Sequence, residues 1–263
     1  MSREPARSPR EEQPVPIRRI VTISITATLV ILAGLYAFHR TEQFLIADPR
    51  FALNGPDGAA ETPTLEVAGA AHSSPLAIQA VFAQDMGRSI YLLPLWERRT
   101  TLRSVDWIRD ASVSRLWPNR VVVNISERKP VAFVAVGHSR FGLIDEDGVV
   151  LPQASGKFTL PVLGGVHPSD PIAERRDRVH RLLRLTRDLG DQAQKISEVD
   201  VSDRDNLKVR QPWDGKLVTL QLGDRNFALR YRNFVNHYAE IRQQLPGAVN
   251  LDLRVEDRIT VVE

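Results

Sequence analysis

Six histidines are the residues of this chain best suited to metal or proton chemistry: His39, His72, His138, His167, His180 and His237. A zinc hydrolase needs two of them one helical turn apart, with a carboxylate between them to activate water. No H-E-x-x-H spacing occurs. The serine elbow G-x-S-x-G and the glycine-rich phosphate loop are absent as well. The chain has no cysteine, which removes thiolate metal sites and disulfides. Asp145-Glu146-Asp147 and Asp203-Arg204-Asp205-Asn206 gather oxygen ligands. A calcium loop, however, alternates its ligands over twelve residues and closes on a glutamate. Neither run does so, and both read as turns. The residues point to no catalytic centre, no metal and no cofactor.

Composition narrows the class further. A length of 263 residues suffices for one large domain or two small ones. The apolar share of 43% and charged share of 25% are those of an ordinary folded protein. A formal charge of +3 is too small to argue for a polyanion partner. Freedom from cysteine suits an oxidising compartment and the cytoplasm equally.

The segment from Ile20 to Phe38, IVTISITATLVILAGLYAF, carries no charge, proline or amide side chain. As a helix its nineteen residues span about 28 Å, close to the hydrocarbon thickness of a bilayer. Its threonines and Ser24 can bond back to the helix's own carbonyls. Arg18 and Arg19 abut it, with Arg3, Arg7 and Arg10 behind, so the arginine bias places the N-terminus in the cytoplasm. A signal peptide would have a shorter apolar region, and a buried core helix would show a polar stripe. Residues 1–19 read as a disordered tail, 20–38 as a transmembrane helix, and 39–63 as a helical extension (TEQFLIADPRF) running into a Gly/Pro/Ala-rich linker.

Residues 64–134 then order as strand, helix, helix, strand, strand. Thr64–Ala68 alternates, and Gly69 ends it. Ser73 or Ser74 caps a helix with Leu76, Ile78, Val81 and Phe82 on its apolar face, stopped by Gly87. A second helix covers Leu95–Ser104, with Trp96 and Leu102 inward. A hairpin follows, turning at Pro118-Asn119, with Ala111 and Val113 on one arm and Val121, Val123 and Ile125 on the other. This module, with Trp107-Ile108, Arg115-Leu116-Trp117-Pro118 and Glu127-Arg128-Lys129-Pro130, resembles a POTRA domain of the FtsQ/DivIB family. Trp107 and Trp117 are its contact candidates. Burial preference favours the core for Trp107, while the exposed turn suits Trp117 for contact. Pro130 is expected to end its strand.

Residues 135–263 make a second α/β unit. Phe141–Leu151 is a hairpin turning on its acidic-glycine run. Leu160-Pro161-Val162-Leu163-Gly164-Gly165 is also close to the family's pattern. Asp170-Pro171 is expected to cap a helix with Ile172, Val179, Leu182, Leu183 and Leu189 inward, closed by Gly190. Its other face carries Arg175, Arg176, Arg178, Arg181, Arg184 and Arg187, read as a solvated face rather than a membrane-surface one. Strands at Leu207–Arg210 and Leu217–Leu222 precede a helix from Phe227 to Leu245. Its stripe is Phe227, Tyr231, Phe234, Val235, Tyr238, Ile241 and Leu245. Val249–Val255 and Arg258–Val262 are the last strands.

The fold class is therefore α+β: one transmembrane helix, a POTRA module, and a C-terminal mixed α/β domain with a terminal sheet edge. The resemblance implies a non-catalytic membrane scaffold of the cell-division complex at the septum of the inner membrane. It implies FtsB and FtsL as partners, received at Arg254, Val255, Asp257, Arg258, Ile259 and Val261, with other septal wall-synthesis proteins docking on the POTRA domain. Val255 stands where the family usually has tyrosine, and Arg258 near a position often glycine. Strand addition at the last strand is the expected mode, and proline at Thr260 is expected to weaken it if that amide serves the partner. The competing readings are an extracytoplasmic wall enzyme or sensor, and a POTRA-type transport or outer-membrane assembly factor. The first needs a pocket of converging titratable groups, and the second a barrel this chain has no strands for.

Overall fold

The apolar run near the N-terminus does become a helix, and a longer one than its apolar residues alone require. The computed structural model describes residues 17–54, 64–137, 140–153, 156–244, 247–255 and 258–262. Helix α1 (Ile17–Ala47) is 31 residues long, none of them buried. It is long and apolar enough to cross a membrane. Its threonine hydroxyls bond back along the helix, as expected: Thr26 Oγ1 donates to the Thr22 carbonyl at 2.7 Å and Thr28 Oγ1 to that of Ser24 at 2.9 Å. The expected extension is continuous with the span. Asp48 then accepts the Arg50 amide and opens a 3-10 turn, Pro49–Phe51. Most of the expected tail and of the Gly/Pro-rich linker lie outside the described residues.

Strand β1 (Leu65–Ala68) is followed by α2 (Pro75–Val81), α3 (Leu95–Leu102), β2 (Ile108–Leu116) and β3 (Arg120–Glu127). This is the expected strand-helix-helix-strand-strand order, and its sheet runs β1-β3-β2. Gly69, at φ 83°, leaves β1 where a Cβ would strike the Ile125 carbonyl. Ser74 caps α2, its hydroxyl taking the Ala77 amide at 3.3 Å. Two inward assignments fail for the same geometric reason. Leu76 is two positions, or about 200°, from the buried Ile78, and Trp96 is about 120° from the buried Leu102. Both are exposed, Trp96 at 72%. Helix α2 also stops at Val81, ahead of a 3-10 turn at Ala83–Asp85, well before Gly87.

The remaining strands build one nine-stranded sheet. They are β4 (Pro130–Gly137), β5 (Arg140–Asp145), β6 (Val150–Leu151), β7 (Val162–Gly164), β8 (Glu198–Asp200), β9 (Leu207–Trp213), β10 (Lys216–Gly223), β11 (Asn250–Asp252) and β12 (Thr260–Val261). Their order is β12-β11-β10-β9-β8-β7-β4-β5-β6. Helices α4 (Ile172–Leu189) and α5 (Phe227–Gln244) join this sheet in a single core. From α4 the core takes Val179, Leu182, Leu185 and Leu189, and from α5 Phe227, Tyr231 and Phe234. Leu185 completes an inward stripe that the sequence reading left short, whereas Ile172, the first helical residue, is exposed. The cap of α4 is the Pro171 backbone, whose carbonyl takes the Glu174 amide at 3.0 Å. The Asp170 carboxylate turns back to the His167 amide and to Arg178. Val235 is exposed, and Leu245 lies outside the described residues. Pro130 opens β4 rather than ending a strand.

By compactness the chain divides into two units. One draws on residues within 1–66, 82–95 and 114–122, and the other on 67–81, 96–113 and 123–263.

Candidate functional site

The last strand is an edge. Strand β11 runs parallel to β10, pairing Leu220 with Leu251, because α5 carries the chain back across the sheet. Strand β12 returns antiparallel and, among the described residues, pairs only with β11, in the register Leu251–Val261 and Asp252–Thr260. Beyond it, the Val262 amide donates to the Asn250 carbonyl at 3.0 Å. Amides alternate in an antiparallel ladder, so the Thr260 amide points inward like that of Val262. The Val261 amide and carbonyl point to the open side. Proline at Thr260 was expected to weaken partner pairing if that amide served the partner; the amide points inward instead, and the outward group belongs to Val261.

The other candidates have distinct surroundings. Arg254 forks onto Asp252, Nε to Oδ1 at 2.9 Å and Nη2 to Oδ2 at 2.6 Å. That hydrogen-bonded pair, helped by the Arg254 amide, holds the Asp252 carboxyl below the usual carboxylate range despite partial burial. Val255 is exposed, and the Arg258 amide donates to its carbonyl at 3.3 Å. Ile259 is half-buried against the main core. Asp257 lies outside the described residues.

Arg258 and Ile259 also wall a groove of about 440 Å³ whose other side is α5, through Asn233, His237, Glu240 and Gln244. These four polar residues escaped the sequence reading, although their spacing of four, three and four marks a second stripe on that helix. His237 Nδ1 and Glu240 Oε2 lie 3.1 Å apart.

In the first module, Trp107 is 2% exposed, stacked near Phe158 and His72 at ring-centroid distances of 6.2 and 4.8 Å. It is core and is withdrawn as a contact candidate. Its φ of 71° is costly for a bulky side chain; the Arg128 amide, donating to its carbonyl at 2.7 Å, helps hold it there. Trp117, at the β2–β3 turn, is 63% exposed.

The Glu127-Arg128 pair has a structural role. The Glu127 carboxylate gathers the amides of Ala71, His72 and Ser73 and the Ser73 hydroxyl at 2.7–3.1 Å. Burial pushes its pKa up, but these donors outweigh burial and hold it low. Arg128 reaches Asp145 at 2.7 Å, and Asp145 in turn accepts the Asp147 and Val149 amides. The acidic run is thus a turn built on a buried carboxylate.

Among the described residues, no group of three or more His, Asp or Glu is placed to hold a metal. Ser126 and Lys129 have the spacing of a serine–lysine nucleophile pair, but Ser126 lies on β3 and Lys129 just past its end, not on one helical turn. The arginine face of α4 is partly tied down: Arg181 donates to the Val201 and Asp203 carbonyls, and Arg178 pairs with Asp170.

An apolar N-terminal helix, a small sheet with two helices, and a large mixed sheet open at its last strand define an α+β protein of the POTRA-bearing class. The family model for the FtsQ-type POTRA domain matches residues 62–128, and that for the FtsQ/DivIB C-terminal domain matches 132–254. The chain is 32% identical to the cell division protein FtsQ of Koribacter versatilis, over 98% of this chain and 75% of that protein. It is 28% identical to the FtsQ of Novosphingobium aromaticivorans, over 88% and 68% of the two chains. Against that of Myxococcus fulvus the identity is 24%, over 81% and 73%. The chain belongs to the FtsQ/DivIB family of cell division proteins.

Proposed function

We propose that this chain is a non-catalytic scaffold of the bacterial division complex that receives FtsB- and FtsL-type partners by strand addition at β12. The N-terminus faces the cytoplasm, α1 crosses the inner membrane, and the folded body works outside it at the septum. The POTRA domain spans 64–134 and the partner-binding domain 135–263.

The observation carrying this reading is the position of β12, outermost in a nine-stranded sheet with the Val261 backbone turned to the open side. An open edge offers backbone hydrogen bonds to an incoming strand, and alternate side chains give selectivity. The groove along α5 supplies a second surface beside it, with Arg258 and Glu240 offering both signs of charge. A shared membrane confines both partners, so effective concentration compensates for modest affinity. The POTRA domain is a second docking surface, for other septal wall-synthesis proteins.

The test is in-cell photo-crosslinking from Val261, with captured proteins identified by mass spectrometry. Capture of a small single-pass coiled-coil division protein supports the reading. Capture of an outer-membrane barrel or a wall-precursor enzyme assigns the chain another role, and no capture from inserted protein moves the partner site off β12.

A further inference from the structure

The end of α1 is clamped to the tip of the β2–β3 hairpin and to the segment around Ser89. Ser89 Oγ donates to the Leu45 carbonyl at 2.7 Å. Past the helix, the Leu53 amide donates to Arg88 at 2.9 Å and the Gly87 amide returns to Leu53 at 2.7 Å. Phe51, 2% exposed, sits among Phe44, Tyr91 and Trp117 at ring-centroid distances of 5.6, 5.8 and 5.0 Å. The Trp117 indole N–H donates to the Tyr91 hydroxyl. Arg115, just before the tip, donates to the Ile90 and Leu93 carbonyls at 2.6 Å.

This clamp fixes how far the hairpin tip stands from the apolar run. Phe44 follows Phe38 by six residues, about 9 Å along a helix, and less along the membrane normal once the helix tilts. The polar layer on each side of the hydrocarbon is about 5–8 Å thick. Phe44, Leu92, Leu116 and Trp117 are nevertheless exposed. Large apolar side chains held at that height, with an indole among them, match the aromatic belt of membrane proteins. Arg40, about one helical turn before Phe44, and Arg88, next to Ser89, are both exposed, and anionic headgroups favour cations at that level.

We propose that the POTRA hairpin tip, through Leu116 and Trp117, rests in the headgroup layer of the bilayer that α1 crosses. The occupant is lipid, because the patch continues the exposed apolar surface of the same helix and is tied to it by Leu45 and Phe51. The module is then held against the membrane rather than swinging from a linker. This inference rests on α1 spanning the membrane.

The chain has no cysteine, so single-cysteine labelling is direct. The full chain is reconstituted in phosphatidylcholine–phosphatidylglycerol vesicles with a nitroxide at Leu116→Cys. Leu92→Cys is a second tip position, Leu29→Cys marks mid-span, and Leu217→Cys is an exposed reference position on the large sheet. Leu116 and Leu217 are 46% and 54% exposed, so protein shielding is similar at the two. Collision with a water-soluble nickel chelate should be several-fold lower at Leu116 and Leu92 than at Leu217, and near zero at Leu29. Equal collision at both tip positions and Leu217, with Leu29 shielded, overturns the docking while leaving the span intact. Full collision at Leu29 overturns the span and the docking together.

Discussion

Glu127 and Ser73 are joined twice: the Ser73 amide and the Ser73 hydroxyl both donate to Glu127 Oε1, each at 2.7 Å. The last residue of β3 thereby anchors the loop that leads into α2. A carboxylate meeting three amides and a hydroxyl is a strong local fastening. Glu127→Ala should cost about 1–3 kcal/mol, read by urea denaturation of the full chain in detergent micelles. The folded pKa is depressed, so this stability is fully present above the ordinary glutamate value of about 4.3 and is lost as pH falls through the folded pKa. The gap between wild type and variant should therefore be widest at neutral pH and shrink at strongly acid pH. A gap independent of pH contradicts the carboxylate's role.

Asp145 and Arg128 form a buried ion pair, with side chains 2% and 18% exposed. Removing Asp145 leaves Arg128 only its longer pair with Asp147, at 3.6 Å, and opens the turn at Asp147 and Val149. Asp145→Ala should lose about 3–5 kcal/mol. Asp145→Asn keeps an acceptor for the two amides and should lose distinctly less. Equal losses in the two variants would assign the whole effect to charge.

Tyr231 donates its hydroxyl to Gln211 Oε1 at 3.0 Å, and Gln211 is fully buried with no protein partner for its Nε2. Tyr231→Phe leaves Gln211 wholly unsatisfied and should cost about 1–3 kcal/mol. Adding Gln211→Leu removes the stranded amide and should restore much of that loss. A purely additive double-variant cycle goes against the coupling.

Proline separates the two sides of β12. Thr260→Pro strikes the inward ladder and should detach the strand. Val261→Pro removes only the outward amide and should shift the thermal midpoint by less than about 2 °C. Co-purification of the FtsB-type partner should nonetheless fall at least several-fold. Full recovery with Val261→Pro sinks strand addition at this edge.

Much of this architecture was legible in the chain because periodicity and punctuation agree. Gly69 and Gly190 ended their elements where a left-handed φ is needed, and Val121, Val123 and Ile125 turned inward as alternation requires. Trp96 and Leu76 misled because in helices of eight and seven residues an apolar side chain gives no phase of its own. The last strand was expected at a sheet edge and lies there, but the direction of its amides was not legible. Which amide faces outward depends on register with β11, a non-local pairing that no local pattern encodes. The Glu127 anchor stayed hidden for a similar reason: its partners lie more than fifty residues earlier.

Both ends of the large sheet are blunt: β6 and β12 are each two residues long. An edge this short gives an incoming strand room for only about two ladder hydrogen bonds, each worth about 0.5–1.5 kcal/mol net. Backbone pairing alone then dissociates quickly, and lifetime depends on what the partner finds along α5 and in the membrane. If partners are received at this edge as proposed, so short a ladder favours an exchangeable contact over a permanent one.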